Sequence, residues 1–122
     1  MDMALTRWFT HNFADTDGPT HPDLIPLPLY LPPDVVTALL VEVIGGLPRW
    51  AVVAVNGHTV RAARRTRLWG FIDDIALRME ETVGGCVVHA RSQSRLGKAD
   101  LGQNRRNLRE LFAAVRGAIR TE

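Results

Sequence analysis

Between Arg91 and Asn104 the chain reads Arg-Ser-Gln-Ser-Arg-Leu-Gly-Lys-Ala-Asp-Leu-Gly-Gln-Asn. Arginines, hydroxyls, a carboxylate, three carboxamides and two glycines crowd into one strand-to-helix connection, where an ordinary turn needs one or two such residues. Upstream stands an adjacent pair of acids, Asp73 and Asp74. Together these residues suggest acid/base work: Asp73 or Asp74 would move a proton while Arg91 and Arg95 hold an anion or a developing oxyanion. The same residues read equally as a lock, a buried salt bridge tying strand to helix. On a regular strand Asp73 and Asp74 point to opposite faces. Phe71, Ile75, Leu77 and Met79 share the parity of Asp73, which sets Asp73 toward the helices and Asp74 away. An inward Asp73 requires Arg91, Arg95 or Asn104 as partner, because an unpaired buried charge is very costly.

Other chemistry finds less support. Adjacent carboxylates that split across a sheet cannot close on one cation, and no His-x-x-x-His or paired-cysteine spacing helps them, so no metal and no cofactor are expected. The run from Gly97 to Gly102 precedes a helix N-terminus, where free amides attract phosphate. It matches neither the Walker nor the dinucleotide pattern. Its plainer role is Asp100 as helix cap, with Gly97 and Gly102 allowing close packing. His89 shares a face with Arg91, and either lines the open face with Asp74 or is a plain surface residue. Cys86 has no histidine dyad. Ser92 and Ser94 lack a nucleophile elbow, and are expected to bond to Asp73, Asp74 or the backbone. Trp50 and Trp69 flank a hairpin and could stack bases. The arginines form no regular stripe with aromatics, however, and Phe71 reads as core, so nucleic acid is not an expected partner.

The 122 residues suit one domain with one core. Fifteen Lys and Arg against 13 Asp and Glu give a net charge of +2, and Lys98 is the single lysine. Arginine favours planar, bidentate partners such as carboxylate and phosphate. Seven arginines from Arg91 onward could draw an anion or simply coat a solvated helix. One cysteine excludes an intrachain disulfide and fits a reducing compartment. No apolar run approaches the length of a membrane span. Met1 to Thr10 does not read as a signal peptide, so a cytoplasmic location is expected.

The elements that must position the polar residues follow from periodicity. Residues 1–33, rich in proline, read as an extended arm. Leu24, Ile25, Leu27, Leu29, Tyr30 and Leu31 pack it onto the domain, with an edge strand around Ile25 to Tyr30. Trp8, Phe9 and Phe13 pack likewise or cover a pocket mouth. The remaining domain, 34–120, opens with a helix to about Ile44, ended by Gly45-Gly46. Strands follow at Trp50 to Val55 and His58 to Arg65, joined by Asn56-Gly57 as the central turn pair. Two more run over Phe71 to Met79 and Cys86 to Gln93. A helix from near Asp100 to Arg120 closes the chain, with Asn104 on its apolar face between Leu101 and Leu108. The fold class is α+β: a two-layer sandwich with a four-stranded antiparallel meander and two helices on one face.

The stretch from Phe71-Ile72-Asp73-Asp74 through Arg91-Ser92-Gln93-Ser94-Arg95 to Asp100-Leu101-Gly102-Gln103-Asn104-Arg105-Arg106 resembles the domain-of-unknown-function family 1499. Arg61-Ala62-Ala63 and Leu68-Trp69-Gly70-Phe71 are similar to its middle hairpin, and the arm with His21-Pro22-Asp23 is similar to one branch. The resemblance spans Leu31 to Ala118. It implies a fold class and a polar constellation, with no reaction attached. Many members of that family are exported or membrane-anchored, a location this chain is not expected to share.

Three functions follow as expectations. The first is a domain binding a small or amphipathic ligand at His89, Arg91, Ser92, Ser94, Arg95, Asp100 and Asn104, beside Asp73 and Asp74. The second is a cofactor-independent hydrolase, isomerase or cyclase using Asp74 or Asp73. The third is a structural or protein-interaction module whose polar cluster only holds the fold. The sequence names no oligomeric state.

Overall fold

Strand alternation sorts the side chains of this protein onto two faces of one sheet. The computed structural model describes residues 13–18, 23–66, 70–95 and 102–120. In chain order they form β1 (Phe13–Asp15), β2 (Leu27–Leu29), α1 (Pro33–Gly46), β3 (Trp50–Asn56), β4 (Thr59–Arg65), β5 (Ile72–Thr82), β6 (Gly85–Ser94) and α2 (Gln103–Arg120). The sheet runs β1-β6-β5-β4-β3, with β2 also on β6, and every pair is antiparallel. The class is α+β with an antiparallel sheet and two helices, as expected, but the sheet has six strands rather than four.

The two added strands come from the arm, and both pair with the outer edge of β6. β1 meets Arg91 to Gln93, and β2 meets Cys86 to Val88. An edge is where a ladder tolerates Pro28, which has no N–H to give. The segment proposed around Ile25 to Tyr30 is β2. β1 is three residues long and carries no alternation to announce it. β2 also comes very close to β6: a Cβ added at Gly85 would sit 2.0 Å from the Leu29 carbonyl oxygen.

One face of the sheet carries the core. Val60, Ala62, Ile75, Leu77, Val88 and Ala90 are all at most 4% exposed there. α1 adds Val36, Leu40 and Ile44, and α2 adds Leu108, Leu111 and Val115, all fully buried. α1 packs against α2 and β3 to β6, and α2 packs against β6 and β1. Full burial of one such side chain is worth about 1.5–3 kcal/mol. α2 can therefore carry two asparagines inward, provided each is hydrogen-bonded; an unmade bond would cost about 1–3 kcal/mol.

Three local expectations shift. The first helix runs on through Gly45 and Gly46, and its end is closed by the Leu47 N–H donating to the Ile44 carbonyl at 3.1 Å. The hairpin turn centres on Gly57-His58 instead of Asn56-Gly57, since Asn56 and Thr59 already pair. Gly57 supplies the positive φ, +60°, which a turn with glycine in its first central position needs. Phe71 is 41% exposed and not core. β5 begins at Ile72, so alternation no longer fixes the direction of Phe71, whose N–H bonds to the Thr66 hydroxyl.

Candidate functional site

The sheet divides the predicted polar cluster into two separate sets. On the core side lie Asp73, Ser92, Ser94 and Asn104. Register places Asp73 opposite Ser94 and Ile75 opposite Ser92, so these β5 and β6 positions share a face. Asn104 and Asn107 sit about one turn apart on α2 and both descend onto that face. Asn107 Nδ2 donates to Asp73 Oδ2 at 2.7 Å and to Ser92 Oγ at 3.1 Å. Ser92 Oγ donates to Asn104 Oδ1 at 2.6 Å, and Asn104 Nδ2 donates to Ser94 Oγ at 2.9 Å. Asp73 is 2% exposed, while Ser92, Asn104 and Asn107 are fully buried.

This knot was expected to join Asp73 to Arg91, Arg95 or Asn104. Asn107 donates to Asp73, Asn104 joins the same network through Ser92, and both arginines sit on the other face. The serines were expected to bond to an aspartate or the backbone; they bond to the carboxamides of α2. Beside the knot, Arg64 is Asp73's cross-strand neighbour on β4 and is 6% exposed. Its Nε meets Glu110 Oε1 of α2 at 3.3 Å, and the same oxygen accepts the Trp50 indole N–H. Trp50 is thereby buried and unable to stack a base. Asn107, Arg64 and Glu110 were not singled out from the sequence. The signal was there: Asn104, Asn107, Leu108, Leu111 and Val115 follow helical spacing on one stripe, and Arg64 has the parity of Val60 and Ala62. This arrangement can hold α2 on the sheet. Asp73, Ser92, Asn104 and Asn107 are buried away from solutes, while Ser94 and Glu110 at the margins are partly exposed.

The open face carries Asp74, His89, Arg91 and Arg95. Arg95 clasps Asp74 through Nε to Oδ2 at 3.1 Å and Nη2 to Oδ1 at 2.6 Å. Those hydrogen bonds hold the Asp74 carboxyl below the usual aspartate range, against a smaller opposing effect of burial. His89 is gripped at both ring nitrogens, Nδ1 by Asp17 Oδ1 at 2.6 Å and Nε2 by Glu80 Oε1 at 2.8 Å. Burial disfavours its charged form, but the two carboxylates outweigh that and raise its pKa. Arg91 lies over the Phe13 ring at 4.1 Å, with Nη1 on Asp15 Oδ2 at 3.2 Å.

Register lines up a row across this face. Arg61 of β4 pairs with Ala76 of β5, Ala76 with Arg91 of β6, and Arg91 with Asp15 of β1. The methyl of Ala76 forms a low floor between two arginines. Above it lies a groove of about 430 Å³ whose lining includes Arg61, Arg78, His89, Arg91, Asp15 and Asp17. Among the described residues the Arg61 side chain makes no hydrogen bond; its charge reaches Asp74 only through space. Arg61, Arg78, Asp15 and Asp17 are groove residues that sequence reading missed. Strand parity could have found the two arginines, but β1 gave no signal for the aspartates.

Asp100, Gly97, Lys98 and Trp69 lie outside the described residues, as do Trp8, Phe9, His11 and His21. Among the described residues no three His, Cys, Asp or Glu gather to hold a metal ion. No helix among them is long and apolar enough to cross a membrane. No curated protein and no solved structure matches the chain. The family model described as protein of unknown function (DUF1499) matches residues 8–115, and the chain belongs to that family.

Proposed function

We propose that this protein binds a small molecule bearing an oxyanion, a carboxylate or a phosphate, in the groove over Ala76. The observation that carries this reading is the in-register row Arg61-Ala76-Arg91. Strands about 4.7–4.9 Å apart put the two arginine Cα atoms about 10 Å from each other. Both guanidinium groups can then lean over the alanine methyl and meet one anion. Guanidinium recognises such groups through paired N–H donors in a fixed plane. Arg78 adds a third cation on the next pair along.

The acid/base alternative has little left to work with. Asp73 is sealed beneath Asn107, and Arg95 keeps Asp74 ionised and weakly basic, the opposite of what a general base near neutral pH needs. The sealed knot supports a structural role for Asp73, Ser92, Ser94 and Asn104 rather than a place in the binding site. We place the protein in a reducing compartment such as the cytoplasm. Support comes from its single cysteine, Cys86, which is 1% exposed and whose thiol burial pushes up.

Calorimetric titration of the purified protein with inorganic phosphate at low ionic strength tests the reading. Saturable binding is expected, and Arg61→Ala and Arg91→Ala should each weaken it about tenfold or more, the scale of a lost charge-assisted contact. Absence of saturable binding by the wild-type protein, or binding indifferent to both substitutions, would refute it.

A further inference from the structure

We infer that Asp17 is an internal stand-in for the ligand's acid group, seated in the arginine groove and displaced when an oxyanion enters. This rests on the groove reading above and adds how the site is occupied when no ligand is present. The turn after β1 is tied down at Thr16, not at Asp17. Thr16 is 6% exposed, its N–H donates to the Ala90 carbonyl at 3.0 Å, and its hydroxyl accepts the Ala90 N–H at 3.0 Å. Asp15 closes the turn by accepting the Gly18 N–H at 2.7 Å. The backbone on both sides of Asp17 is therefore fixed without its carboxylate.

That carboxylate has one local tie, a long hydrogen bond accepted from the Thr16 hydroxyl at 3.3 Å, and its other partners lie in the groove. Asp17 Oδ1 meets His89 Nδ1 at 2.6 Å, Asp17 Oδ2 lies 3.7 Å from Arg78 Nη2, and the side chain stays 52% exposed. The next carboxylate along, Asp15, takes Arg91 in the same way. Two of the three groove arginines thus already face a carboxylate of this chain, and Arg61 is left as the landing point. An anion held by Arg61 would share the groove with Asp17, and repulsion between like charges favours its departure. A side-chain rotation suffices, because Thr16 keeps the main chain in place.

The test compares phosphate affinity, by titration calorimetry at low ionic strength, in the wild-type protein, Asp17→Asn and Glu42→Gln. Glu42 is exposed on α1 and provides the same change in net charge away from the groove. Asp17→Asn should bind phosphate about fivefold tighter, the size expected when exposed ion pairs no longer compete. Glu42→Gln should stay within about twofold, as a screened distant charge does. Equal affinity of Asp17→Asn and wild type, with Arg61→Ala weakening both, would leave the groove standing and overturn the stand-in. An equal gain in Glu42→Gln would also overturn it, by tracing the effect to overall charge. No saturable binding by any variant would remove the groove reading and this inference together.

Discussion

Asp73 and Asp74 are neighbours in the chain yet live on opposite sides of the sheet. Asp73 is buried under the Asn107 carboxamide, and Asp74 is held by Arg95 in solvent. Two like residues with one peptide bond between them therefore contribute to different properties of the protein, one to its stability and one to its surface charge.

Removing the inner donor should be costly. Asn107→Ala takes one hydrogen bond from Asp73 and one from Ser92 within a sealed space. A loss of about 3 kcal/mol is expected, at the upper end for buried partners left short, one of them a carboxylate. Urea unfolding checks this. A loss below about 1 kcal/mol would mean that water reaches the knot.

Asp74→Asn should behave differently. Its bond to Arg95 is exposed on both sides, and such pairs contribute about 0–1 kcal/mol. The unfolding free energy should change little in the same urea experiment. A loss as large as that of Asn107→Ala would show that the open face is a structural lock as well.

His89 makes stability depend on pH. Burial acts against its charged ring, but the hydrogen bonds to Asp17 and Glu80 outweigh burial and raise its pKa above the ordinary 6.5. The folded protein thus holds this proton more tightly than the unfolded chain. The resulting stabilisation is whole below pH 6.5 and is lost as pH rises through the raised value. Asp17 works in the other direction. The bond to His89 lowers its pKa below the ordinary 3.8, so its contribution is whole above pH 3.8 and is lost as pH falls through the lowered value. The difference in melting temperature between wild type and His89→Gln should be greatest between pH 3.8 and 6.5 and shrink above that window. A difference that grows with rising pH would contradict this arrangement.

Gly85→Ala tests the close crossing of β2 over β6. The added methyl would lie 2.0 Å from the Leu29 carbonyl oxygen and 3.0 Å from the Tyr30 Cα, both backbone atoms that cannot turn aside. Overpacking of this kind costs about 1–3 kcal/mol. Amide exchange should quicken selectively at Leu27 and Leu29. Unchanged protection there would place β2 farther from β6.

Much of this architecture was legible because alternation is a strong signal over long strands. β4, β5 and β6 have seven or more residues each, and their parity separates Asp73 from Asp74 and Ser92 from Arg91. β1 has three residues, too few for a period to emerge, so Asp15 and Asp17 gave no hint of their place. Asn107 was overlooked because a carboxamide within an arginine-rich helix looks solvated; only its spacing from Leu111 and Asn104 shows that it turns inward. The expected single cluster failed for a geometric reason. Residues close in sequence were pooled, although a sheet separates even from odd positions.

On the reading proposed above, the open face meets solutes while the buried knot only holds the fold. Titration of isotope-labelled protein with inorganic phosphate, followed by nuclear magnetic resonance of backbone amides and side-chain guanidinium and carboxamide groups, examines both faces at once. Saturable shifts are expected at Arg61, Ala76 and Arg91, with the carboxamide signals of Asn104 and Asn107 unmoved. Shifts concentrated at Asn104 and Asn107, or no saturable shift on the Arg61 row, would contradict it.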